Sequence, residues 1–317
     1  MLLDSLFARR VVVLSGKGGV GKSVVGAAIA LAARDRGRRV LLVEVSAALE
    51  AARLLGGQRS GGREIEVLPG LFTVNLDPRA VLDEYVRHVV KLELIARRIL
   101  DSPIYHRFLA AAPGLKELMV LGKIMVLEEA RARGSRSPLW DLIVVDAPAT
   151  GHGLAFLKVP LAASSAIPVG PVGANARKVL ELLRDRRRTS LLVVAVPEEM
   201  AVVEGLQFSR LAEEELGLAP SAFVLNACHE RRFDTEDEAE VLRLTAEGQD
   251  GLIAGGVPLG AALRAARRQI RRRRLTSFYQ TRLKRALDVP LVPLPFLFRE
   301  ALALDDLRLL AARLEAA

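Results

Sequence analysis

The sequence predicts an α/β fold: a mostly parallel sheet with helices on both faces and an inserted helical subdomain. Three observations predict it. Short, β-rich apolar runs recur along the chain and end at glycine, serine, asparagine or aspartate, as buried parallel strands do. Helical patterns separate these runs, as crossover connections require. One stretch of about 55 residues, Arg79 to Arg133, is helical with no convincing strand, which reads as an insertion into the alternating core.

Arg10-Val11-Val12-Val13-Leu14 is the first strand, closed by Ser15-Gly16. Val24 to Asp35 is a helix with apolar residues all round, so it should be buried, and Gly37 sits where a C-cap belongs. Arg39 to Val45 is the second strand, which completes a βαβ unit in under 40 residues. Phe72 to Leu76 is a weaker candidate strand. In the insertion, Pro103, Pro113 and Gly114 cut the helical pattern into pieces. Its apolar residues (Leu92, Leu94, Ile95, Ile99, Leu100, Phe108, Leu109, Leu118, Met119, Leu121, Ile124 and Met125) are too many for one stripe. They either pack within the insertion or expose a groove for a partner helix.

Leu142 to Val145, Leu191 to Val196 and Ala222 to Leu225 are further strands, and Met200 to Leu216 is a helix closed by Gly217. Asp234 to Glu240 is acidic, and Arg264 to Arg285 is a strongly basic helix. Leu291 to Leu294 is a last short strand, followed by an amphipathic helix, Ala301 to Leu314. No internal repeat is evident. Residues 1–317 therefore read as one domain, with the helical subdomain at about 79–135.

Composition narrows the function. The 317 residues are 51% hydrophobic and 26% charged, which is globular and excludes a disordered or fibrous chain. Cys228 is the single cysteine, so an intrachain disulfide, a CxxC redox pair and a cysteine-rich zinc site are all excluded. No apolar run reaches the ~18 residues of a membrane span, and the first ten residues lack the order of a secretory signal. A cytoplasmic protein is expected. The net charge is +9, but only eight of the 46 basic residues are lysines. An arginine-for-lysine bias of this kind makes the charge weak support for nucleic-acid or membrane binding. The basic helix is more simply a solvated face, with ion pairs to the acidic segment.

The strongest signal is Gly16-Lys17-Gly18-Gly19-Val20-Gly21-Lys22-Ser23, followed by Val24. It matches G-x-x-x-x-G-K-[ST] between a predicted strand and a helix, the context that marks a P-loop. Its glycines let successive backbone N–H groups turn inward, and the positive end of the helix points the same way. Lys22 is placed for the β- and γ-phosphates of ATP, and the Ser23 hydroxyl for Mg²⁺. Asp146 ends a strand at the carboxyl edge of the sheet, where such sites form, and is placed to hold Mg²⁺ through water.

Two further features carry a resemblance to a known family. Lys17 adds a second lysine to the loop, giving G-K-G-G-x-G-K-S. The string after Asp146 reads Ala147-Pro148-Ala149-Thr150-Gly151-His152-Gly153 and runs through leucines to Pro160. Together they resemble the arsenite-pump (ArsA-like) and tail-anchored-protein-targeting ATPases of the deviant P-loop class. The resemblance implies that Lys17 reaches across a dimer to the partner's nucleotide. It also implies that Asp146, Pro148, Thr150, Gly151 and His152 form switch II, a loop that refolds when the γ-phosphate leaves. It further implies that Asn226, at the end of its strand, contacts adenine, and that Pro293 and Pro295 belong to a loop covering the base. Pro113-Gly114-Leu115-Lys116-Glu117-Leu118 resembles a helix start in the family's helical subdomain.

Two departures qualify what the resemblance implies. In switch I of that family an Asp-Pro supplies the carboxylate that orients the attacking water, whereas this chain has Ser46-Ala47 there. Either Glu44 substitutes from another position, or the site lacks that carboxylate. Losing a general base commonly costs about 10²–10⁴ in rate. The lone Cys228 cannot build the multi-thiolate site that arsenite requires, so no arsenite site is expected.

The expected function is an ATP-binding, ATP-hydrolysing dimeric switch, a homodimer or a heterodimer with an ArsA-like paralogue, that grips and releases a protein client or partner. Two alternatives stand beside it. One is a non-hydrolysing nucleotide-binding subunit of a paralogue heterodimer. The other is a positioning ATPase resembling those that partition DNA or place division sites.

Overall fold

The computed structural model describes residues 2–45, 50–58, 60–90, 92–103, 105, 107, 114–167, 169–246, 253–254 and 257–316. Ser46, Ala47, Phe108, Leu109 and Pro113, named above, lie outside the described residues.

An eight-stranded sheet forms the centre. Its strands are β1 (Val11–Ser15), β2 (Val40–Glu44), β3 (Ile65–Leu68), β4 (Leu71–Asn75), β5 (Leu142–Asp146), β6 (Thr189–Ala195), β7 (Pro220–Cys228) and β10 (Leu291–Pro295), in the order β10-β7-β6-β1-β5-β2-β4-β3. All pairs are parallel except β3 against β4. The short pair β8 (Ile253–Ala254) and β9 (Val257–Pro258) lies apart from it. β1, β2, β5 and β6 are buried at every position, which explains why they read as unbroken apolar runs.

Helices cover both faces. On one lie α1 (Leu2–Phe7), α2 (Lys22–Asp35) and α12 (Leu304–Glu315), with α3 (Glu50–Leu54) beside α2. On the other lie α6 (Leu115–Glu129), α7 (Thr150–Ala166), α8 (Pro171–Arg184) and α9 (Glu199–Leu216). α10 (Thr235–Ala246) packs against the long helix α11 (Leu259–Ala286), which contacts β10 and β7. α2 buries Val25 through Leu31 and Ala33, and it ends at Arg36 with Gly37 in the left-handed region, as its composition predicts.

The inserted stretch contains α4 (Pro78–Val90), α5 (Glu93–Leu100) and α6. Its apolar residues divide. Leu118, Met119, Leu121, Ile124 and Met125 of α6 are buried and belong to the same hydrophobic cluster as the sheet strands. Leu92, Leu94, Ile95 and Ile99, around α5, are exposed. Packing within the insertion alone therefore accounts for neither group.

Three expectations are corrected. Asn226 does not end its strand, because β7 continues to Cys228. Pro293 pairs with Leu225 and Pro295 with Cys228, so β7 carries one residue more than β10 across this interval. That is a β-bulge, and within it Ala227 takes φ 55, the one non-glycine residue with positive φ among those described. Pro293 and Pro295 lie inside β10 rather than in a loop after it. An edge strand tolerates proline, since a missing N–H on its open side breaks no ladder bond. Thr150, Gly151 and His152 are not loop: they form the first turn of α7.

Candidate functional site

The parallel register assembles the site. Leu14 of β1 and Glu44 of β2 both pair with Asp146 of β5, so the carboxyl ends of three adjacent strands finish at one level. The loop after β1 runs across that edge into α2. Gly16 packs against β6 so closely that a β-carbon would lie 2.1 Å from the Val194 carbonyl oxygen. Gly21, the residue before α2, has φ 88, and a β-carbon there would lie 2.3 Å from Asn226 Nδ2. Only glycine meets both conditions at Gly21.

Lys22 curls back over its own loop and donates to the carbonyls of Gly16 at 3.1 Å and Lys17 at 3.2 Å. Burial lowers its pKa, against the opposing pull of Asp146 and Glu50. Ser23 Oγ donates to Asp146 Oδ2 at 2.5 Å. The other oxygen of Asp146, Oδ1, is buried without a hydrogen-bond partner. Burial raises the Asp146 pKa, with the Ser23 hydrogen bond and Lys22 opposing and Glu50 adding to the rise.

These residues fit a nucleoside triphosphate with magnesium. The glycine loop leaves room for backbone to approach phosphate. A hydroxyl, a buried carboxylate and one carboxylate oxygen without a donor form a hard-oxygen donor set. Among the described residues no three His, Cys, Asp or Glu side chains converge as a metal cage. Magnesium differs from caged metals in this respect, taking one or two carboxylates together with phosphate and water.

The remaining predicted residues are placed as follows. Glu44 is 1% exposed, and its two carboxylate oxygens accept from Ala51 N at 2.8 Å and Ala52 N at 3.2 Å. Burial raises its pKa, with those two N–H groups opposing. It therefore fastens the start of α3 and does not point a free carboxylate at a substrate. Asn226 Nδ2 donates to the Val20 carbonyl at 3.0 Å, which braces the glycine loop from β7. Beyond Asn226 lies a hollow of about 260 Å³ whose lining includes Pro197, Ala227, His229, Arg272 and Phe296. His229 stacks on Phe296 at 4.7 Å between ring centroids. Pro293 and Pro295 do not line this hollow. Lys17 Nζ forms an ion pair with Glu204 of α9 at 2.9 Å.

Gly153, in the first turns of α7, packs against the loop edge: a β-carbon there would lie 2.9 Å from Ser15 Oγ and 3.0 Å from the Pro148 carbonyl oxygen. α7 and α9 then line an apolar groove of about 590 Å³ with Leu154, Val159, Phe208 and Leu211 among its walls. Glu50 and Glu204 are site residues that the sequence did not single out. An acidic residue opening a helix was the only sequence signal for Glu50, and Glu204 is one of several acids along α9.

Cys228 is buried, its thiol donates to the Leu225 carbonyl, and burial pushes its pKa up to about 12. On the basic helix α11, Arg274 pairs with Glu238 of α10. No described helix is long and apolar enough to cross a membrane.

A model of the anion-transporting ATPase family matches residues 9–168. The ATPase BagA of Mycobacterium tuberculosis strain H37Rv is 31% identical over 263 residues, which cover 79% of this chain and 75% of that protein. An arsenical pump-driving ATPase of Escherichia coli is 27% identical over 223 residues, 68% of this chain and 34% of its own length. A second, from Acidiphilium multivorum, is 26% identical over 231 residues, 67% of this chain and 38% of its own. The chain thus aligns with little more than a third of the pump ATPases.

Proposed function

The chain belongs to the anion-transporting ATPase family, and from that membership we propose that it is an ATP-binding, magnesium-dependent ATPase working as a dimeric conformational switch on a protein client or partner. The observation that carries this reading is the Ser23–Asp146 hydrogen bond at the mouth of the glycine loop. It places a hydroxyl and a buried carboxylate beside Lys22, the arrangement that nucleotide-bound magnesium needs.

When bound, ATP would supply the transferable phosphoryl group and magnesium would neutralise its charge. The residues of this chain bind and orient. The backbone of Gly16 through Gly21 would cradle phosphate, Lys22 would exchange its two loop carbonyls for phosphate oxygens, and Ser23 with Asp146 would hold the metal. Asn226 keeps the loop in shape through Val20, and the hollow beside it is proposed for the base. Thr150, Gly151 and His152 open α7, and α7 is proposed to carry a change at the γ-phosphate to the groove it shares with α9. Lys17 is proposed to leave Glu204 and cross to the nucleotide of a second subunit.

Arsenite is not the proposed substrate. As(III) calls for several accessible thiolates, and the one cysteine is buried with a raised pKa. A second reading, a nucleotide-sensing subunit that does not hydrolyse, is supported by Glu44: both its oxygens are committed to α3. Phosphate release from Mg·ATP, measured beside Lys22→Ala, separates the two. Release well above the variant supports the ATPase. Release equal to the variant while nucleotide still binds supports the sensing subunit.

A further inference from the structure

The structure brings a second carboxylate to the phosphate site, beside Asp146, from a separate element. Glu50 opens α3, and its Oε2 lies 3.5 Å from Ser23 Oγ. The same hydroxyl donates to Asp146 on β5 at 2.5 Å. Two carboxylates from separate elements therefore converge on one hydroxyl. The buried Asp146 Oδ1 has no hydrogen-bond partner, so an acceptor in the same cluster lacks a donor. Like charges brought together in this way disfavour one another. A divalent cation removes that conflict, since hydroxyl and carboxylate oxygens are the ligands magnesium prefers. Lys22 gives part of the compensation, as its charge is favoured by both Asp146 and Glu50.

Glu44 completes the arrangement from behind. Its two backbone hydrogen bonds to Ala51 and Ala52 fix the first turn of α3, which fixes where Glu50 starts. The buried Glu44 thus acts through α3, and the exposed Glu50 faces the site.

We infer that Glu50 is a metal-positioning residue: with Ser23 and Asp146 it holds the magnesium ion that accompanies the nucleotide, directly or through water. This rests on the nucleotide-site reading above. It assigns Glu50 to the metal and leaves the attacking water without a dedicated carboxylate, which fits a slow enzyme.

The test uses Mn²⁺ as the probe, titrated into the full-length protein with saturating ADP and followed by the loss of the free Mn²⁺ electron paramagnetic resonance signal. Glu50→Gln is expected to weaken Mn²⁺ binding about ten-fold, the low end for groups that orient a metal's ligand shell. ADP affinity in EDTA and the unfolding midpoint should stay at the wild-type values, because Glu50 is exposed. Glu50→Asp, one methylene shorter, is expected to fall between. If Glu50→Gln binds Mn²⁺ as wild type does while Asp146→Asn loses it, Glu50 has no role at the metal, and the nucleotide site stands without it. If the wild-type protein binds ADP no better than Lys22→Ala, the nucleotide-site reading fails and takes this inference with it.

Discussion

Gly21 is held by two constraints that separate under mutation. Its φ of 88 strains any residue with a side chain, and a β-carbon would also strike Asn226. Gly21→Ala is expected to destabilise the fold by about 2 kcal/mol, the sum of backbone strain and a lost or displaced Asn226 hydrogen bond. In an Asn226→Ala background the clash is gone, and the same change should cost about half as much. Urea unfolding of the four proteins reads this coupling directly. Asp146 makes a prediction about pH. Burial raises its pKa above the ordinary 3.8, so the folded state binds that proton more tightly than the unfolded state. Its favourable contribution is complete below the ordinary value and is lost as pH rises through the raised one. Asp146→Asn, free of nucleotide, should therefore melt higher than wild type by a margin that grows from acid pH towards neutrality. A margin that shrinks over that range contradicts the shift. At this scale the glycine loop, Lys22, Ser23 and Asp146 were legible because motif and spacing are local. Glu50 was not, because its meeting with Ser23 depends on how α3 returns over α2. Asn226 was expected to contact adenine, and its bond to Val20 was not foreseen, since it depends on how β7 lies beside the glycine loop.

Among the elements, α6 is tied to the sheet by one buried acid. Glu128 is 6% exposed. Its carboxylate pairs with Arg10, just before β1, at 3.4 Å and with Arg188, just before β6, and Arg10 also donates to the Glu128 carbonyl at 3.1 Å. Arg10 and Arg188 are partly exposed, so water takes up part of their loss, and Glu128→Ala is expected to cost about 2 kcal/mol in chemical denaturation. Arg274→Ala, which removes an exposed guanidinium from its pair with the part-buried Glu238, should cost about 1 kcal/mol. The strands of the central sheet were legible since burial on both faces makes them unbroken apolar runs. β3 was missed because it is half-exposed, antiparallel and four residues long. α3, five residues long, is too short to show a period. The switch string was read as a loop from its small residues, yet it begins α7. Gly153 lets the helix start pack against Ser15, a tertiary demand that propensity does not record.

At the scale of the whole molecule, the fold brings the glycine loop, the start of α7 and β7 to one edge of the sheet, and Lys17 rests there on Glu204. The ion pair is partly solvated, and such pairs contribute little, so a competing phosphate could take Lys17 at small cost. The proposals of dimer, client and turnover all depend on a nucleotide at this edge. The measurement that tests it most directly is calorimetric titration of Mg·ATP into wild type and Lys22→Ala. The wild-type protein is expected to bind one nucleotide per chain, and Lys22→Ala to bind at least about ten-fold more weakly, the loss of one charge-assisted contact to phosphate. Equal affinity in the two proteins, or no binding by the wild type, would contradict the placement of ATP at this loop.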